Sequence, residues 1–164
     1  MIKEGLGNKQ FSKVLMCLIV EYKNLDIEIV IKKKLKESAY TILRKWIDMQ
    51  TPVMFSKKAW DLLKQNYQTT PLEFPLLQWK DRFICGKDEK GKSKLVYEHT
   101  TPISEFFYDL TTCNNLSEIE EKLDNYSGIC WITREEDDRL TKNYRAKRPG
   151  GWRKCYNECG IQLS

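Results

Sequence analysis

"GICWITREEDDRL", residues 128–140, changes its period halfway, and that change decides the fold class. The first half is a compact apolar run opened by a glycine and short enough for a strand. The second half follows Thr133, with Glu136 three residues on, a capping box that starts a helix. The acids at 135–138 suit the positive end of that helix dipole. A strand feeding a capped helix, in a chain whose first half reads as helical, predicts an α+β fold.

Working upstream, "DRFICGK" (81–87) and "KSKLVYEH" (92–99) flank "DEKG". Gly91 can take positive φ at the end of the turn, so a β-hairpin is expected. Between hairpin and strand, "ISEFFYDL" (103–110) reads as a short helix. "NLSEIEEKLDNY" (115–126) reads as a second, capped by Ser117 and Glu120, with Leu116, Ile119 and Leu123 on one side. The connector "QTTPLEFPLLQW" (68–79) carries two prolines and is expected to be extended. It divides a helical region, residues 1–70, from an α+β region, residues 71–164, both expected within one compact unit.

In the first region, "DIEIVIKKKLKESAYTILRKWIDM" (26–49) sets Ile31, Leu35, Ala39, Ile42 and Trp46 at helical spacing, with Asp26 as cap. Its "KKKLK" run is a solvated face or a nucleic-acid contact. "KQFSKVLMCLIVEYK" (9–23) is a buried helix or a strand. Ser56 caps a short helix through Ala59, Leu62 and Leu63.

Composition narrows the functional classes. The chain has 164 residues, 41% apolar and 31% charged, enough apolar material for a core. The net charge is +5, but residues 139–164 carry +6 and the remainder −1. A field concentrated in this way favours a polyanionic partner. The longest apolar run, "VLMCLIV" (14–20), is far below the roughly 18 residues that a membrane span needs. No cleavage site follows it, so neither a signal peptide nor a membrane role is expected. The six cysteines are then expected to be reduced thiols in a cytoplasmic protein. Cys155 and Cys159 have a spacing open to zinc, but a structural site needs four ligands, and packing is the expected role.

The only histidine, His99, follows Glu98 at the end of the hairpin and precedes Pro102 by three residues. Histidine suits proton transfer near neutral pH. A neighbouring carboxylate suits a metal that stabilises charge on a phosphodiester. Consecutive side chains on a strand diverge, so the pair shares a site only if the strand breaks, as Thr100, Thr101 and Pro102 suggest. "YEHTTP" (97–102) followed by "GICWITREEDDRL" resembles the HNH, or ββα-metal, nuclease motif over about 45 residues. The resemblance implies His99 as general base and Glu98 as ligand of magnesium or manganese. It also implies a further ligand from the second helix. The family's helix histidine is missing here, which leaves Asp137 or Asn143 for that role.

The basic segment "TKNYRAKRPGGWRK" (141–154) is read as loop. Lys142, Arg145, Lys147, Arg148, Arg153 and Lys154 neutralise phosphates, and Tyr144 and Trp152 stack on bases. Gly150 and Gly151 allow close backbone approach or a turn. Two functions are therefore expected. One is a metal-dependent endonuclease of DNA or RNA, for which a symmetric homodimer would suit a duplex substrate. The other is a non-catalytic module of phage or mobile-element type, in which His99 is structural and the basic segment binds nucleic acid or a protein.

Overall fold

The computed structural model describes residues 6–24, 28–50, 53–66 and 77–164. In chain order its elements are α1 (Leu6–Lys23), α2 (Ile29–Gln50), β1 (Val53–Phe55), α3 (Lys57–Asn66), a 3-10 turn (Trp79–Phe83), β2 (Leu95–His99), α4 (Ile103–Leu110), α5 (Leu116–Asp124), β3 (Ile129–Thr133), α6 (Arg134–Tyr144) and α7 (Trp152–Glu158). The class is α+β. Contacts divide the chain into two compact units, residues 1–50 with 103–126 and residues 51–102 with 127–164. The division does not fall near residue 70. The 103–126 stretch joins the amino-terminal helices because its apolar faces complete their core. Asp26 and most of the 68–79 connector lie outside the described residues.

In the first unit, the segment open to helix or strand is the helix α1. Ser12, Leu15 and Ile19 are buried at helical spacing, while Lys13, Val14 and Val20 are exposed. Along α2 the buried stripe is Ala39, Leu43, Trp46 and Ile47, and Ile31 is 48% exposed. The stripe starts later than its spacing predicts because the ring contacts of α2 lie further along. Tyr40 meets Phe107 edge-on at 5.4 Å, and Trp46 stacks on Phe11 at 5.4 Å. Half of the "KKKLK" run is drawn to aromatic rings. Lys32 lies over Tyr22, and Lys36 donates to the Tyr108 hydroxyl at 2.6 Å.

The α5 cap is Asn115 and not Ser117. The Asn115 side chain accepts from the Glu118 amide, and Glu118 accepts in turn from the Asn114 amide at 2.8 Å. Glu120, the expected partner of Ser117, accepts instead from Ser12 Oγ at 3.1 Å. Asn115→Ala is therefore expected to lower stability by about 1 kcal/mol in chemical denaturation, and Ser117→Ala to change it negligibly.

The second unit is built on a sheet of order β1-β3-β2, with β1 parallel and β2 antiparallel to the central β3. The capped helix forms as its sequence predicts. Thr133 and Glu136 make the capping box that opens α6. Glu136 is only 1% exposed, and its Oε2 accepts from Ser56 Oγ at 2.6 Å and from the Thr133 amide at 2.8 Å. These bonds make the buried carboxylate tolerable. Ser56 also caps α3, accepting from the Ala59 amide at 3.1 Å.

Two expectations change. The 81–87 half of the hairpin is not a strand: residues 79–83 form the 3-10 turn, and a single bridge, Lys87 with Ser93, closes the Gly91 turn. β2 pairs with β3 instead. The carboxy-terminal segment is not loop throughout. In α7, Trp152, Cys155 and Tyr156, with Cys159 just beyond, bury one face against Cys130, Ile132 and Leu140.

Candidate functional site

β2 is regular through its last residue. Glu98 is in register with Cys130 and His99 with Ile129, and pairing continues to the Thr100 amide, which donates to the Gly128 carbonyl at 3.2 Å. The expected break after His99 comes too late to turn the two side chains together. Alternation therefore sends them to opposite faces of the sheet. His99 lies on the face of Tyr97 and Trp131. Its ring sits 6.2 Å from Tyr97, which packs edge-on against Trp131 at 4.9 Å. Glu98 points to the other face, with Val96 and Cys130, toward α6 and α7.

On that face Glu98 is paired with Arg148. The side chains are 18% and 5% exposed. Arg148 also donates through Nη1 to the carbonyls of Lys147 at 2.7 Å and Arg145 at 3.1 Å. One guanidinium thus ties the chain between α6 and α7 onto the edge strand. Asp137 stands close enough for its charge to act on Glu98, and Arg134 holds it at 2.8 Å. Burial pushes the Glu98 carboxyl above its ordinary value; Arg148 opposes that shift and Asp137 adds to it. Asp137 is raised as well, chiefly by burial, with Arg134 opposing. Beneath the pair, burial pushes the Cys130 thiol up to about 12 and Tyr156 well above its usual range.

These residues do not fit the divalent metal that the resemblance implies. Glu98 and Asp137 are close enough for their charges to interact, but each is already paired with a cation of the protein, Glu98 with Arg148 and Asp137 with Arg134. Asn143 turns its amide to Cys159 Sγ at 3.4 Å. Among the described residues no three His, Cys, Asp or Glu side chains are grouped to hold an ion. Cys155 and Cys159 sit buried in the apolar cluster of α7, with Cys155 Sγ 3.6 Å from the Pro149 carbonyl.

The basic segment separates into two kinds of residue. Lys142, Arg145, Lys147, Arg153 and Lys154 are exposed. Lys154 has Glu158 at 3.9 Å, an exposed pair of small energy. Arg148 and Trp152 are buried, and Tyr144 donates its hydroxyl to Glu158. Neither expected stacking residue is therefore an open platform. The exposed aromatics of this unit include Trp79 and Phe83, on the 3-10 turn that spans the end of the expected connector and the start of the expected strand. Their signal in the sequence is "WKDRF", two rings with Lys80, Asp81 and Arg82 between them.

Comparison with family models, curated proteins and solved structures found no match.

Proposed function

We propose that this chain is a non-catalytic nucleic-acid-binding module that grips phosphates through its α6–α7 segment. One observation carries this reading: Lys142, Arg145, Lys147, Arg153 and Lys154 all face solvent on that segment, while its sixth cation, Arg148, is spent inside the fold on Glu98. Exposed lysine and arginine bind a phosphodiester chain by releasing its counterions. Such contacts position a strand without reading its bases. His99 is then a structural residue of the Tyr97–Trp131 face. We place the protein in the cytoplasm. All six cysteines are free thiols, five of them buried, and among the described residues no helix is long and apolar enough to cross a membrane.

The test is an incubation of the full chain with supercoiled plasmid, RNA and labelled oligonucleotides, with and without magnesium or manganese. Retention on native gels without strand scission is expected, and His99→Ala should bind as wild type does. Metal-dependent scission that disappears in His99→Ala would overturn this proposal in favour of a nuclease.

A further inference from the structure

We infer that residues 79–94 form a second contact on the same unit, one that takes unpaired bases and so directs the module to single-stranded nucleic acid. The inference rests on the nucleic-acid-binding reading above and adds to it a site away from the α6–α7 segment.

The first part of the surface is aromatic. Trp79 and Phe83 leave 55% and 41% of their surface exposed, although they stand within one short turn. Arg82 fixes them: its guanidinium lies 3.5 Å from the Trp79 ring centre and 4.5 Å from that of Phe83, and its Nη1 donates to the Trp79 carbonyl at 3.2 Å. Lys87 stands over Phe83 at 5.4 Å. Two exposed rings bracketed by cations offer flat faces to nucleobases and charge to the phosphates beside them.

The second part is a rigid loop of lysines. Asp88 Oδ1 accepts from the amides of Lys90 at 2.9 Å and Lys92 at 2.7 Å, and Gly91 takes a φ of +74° to close the turn. The Ser93 hydroxyl donates to the Arg82 carbonyl and joins this loop to the aromatic turn. Lys87, Lys90, Lys92 and Lys94 are all exposed, and they line a groove of about 860 Å³ with Lys58 and Arg134. Glu135 faces Lys58 at 4.0 Å and Arg134 is held by Asp137, so Lys87, Lys90, Lys92 and Lys94 stand against Asp88, Glu89 and Asp138. That leaves an excess of positive charge for an anionic chain.

Lysines alone would accept a duplex, a single strand or an acidic peptide equally well. The exposed rings distinguish these, because only a single strand presents base faces along with phosphates.

The test uses the full chain, fluorescein-labelled oligonucleotides of one sequence as single strand and as duplex, and polyglutamate as competitor. Trp79→Ala/Phe83→Ala is expected to weaken single-strand binding by at least about tenfold and to leave duplex binding unchanged. The two residues are 55% and 41% exposed, and an unchanged melting curve confirms that the variant folds. Equal loss on both substrates, no loss on the single strand, or displacement by polyglutamate at equal charge would overturn the inference while leaving nucleic-acid binding intact. Failure of wild type to bind either oligonucleotide would overturn this inference and the proposed function together.

Discussion

Arg148→Ala is expected to cost about 3–5 kcal/mol of unfolding free energy, the largest stability loss among the substitutions considered, because it strands Glu98 on a buried face. The guanidinium also bonds the carbonyls of Arg145 and Lys147, so the turn between α6 and α7 loses its anchor together with the ion pair. The penalty should depend on pH. Glu98 already has a folded pKa above its unfolded value, and Arg148 is the main influence holding it down. A carboxyl raised in this way contributes stability below its unfolded pKa and loses that contribution as pH rises through the folded pKa. Without Arg148 the folded value rises further, and the window of loss extends to higher pH. The cost of Arg148→Ala should therefore be greater at pH 8 than at pH 5 in urea denaturation. Replacing both partners, Glu98→Leu with Arg148→Met, should recover part of it, since an apolar pair removes the stranded charge but not the two unbonded carbonyls. A penalty below about 1 kcal/mol at pH 8 would mean that Arg148 does not anchor this turn.

Alanine at Lys142, Arg145, Lys147, Arg153 and Lys154 together is expected to weaken nucleic-acid binding by at least about a hundredfold at low salt, without lowering stability. All five are exposed, and the segment that carries them is held from below by Arg148 and by the buried face of α7. Binding and stability are thus assigned to different cations of one short stretch. Fluorescence anisotropy and thermal unfolding on the same preparations separate the two effects. If affinity is unchanged while the variant stays folded, the α6–α7 cations are not the contact.

The strongest local signals of this chain are legible in its sequence; the weaker local ones and the long-range contacts are not. The strand-to-helix junction at 128–140 needs only an apolar run and two capping residues three apart, and it forms as written. The α5 cap is read two residues late: Asn115 takes the place expected of Ser117, and Glu120 accepts from Ser12, far away in sequence. α7 carried a helical signal in Trp152, Cys155, Tyr156 and Cys159, at the spacing of one buried face. The glycines before it and the cations around it make the segment look like loop. Arg148 reads as one more basic residue of the tail, because nothing near it announces a partner fifty positions upstream. The Glu98–His99 pair shows the same limit. Adjacent residues suggested a shared site, and a strand that stays paired past His99 sends them apart.

The most direct measurement is the salt dependence of binding to a labelled single strand, for the wild type and for the five-alanine variant. If the five cations each neutralise one phosphate, the slope of log K against log salt should be steeper in the wild type by about 3.5. Parallel slopes for the two proteins, or a wild-type affinity that ignores salt, would contradict the account.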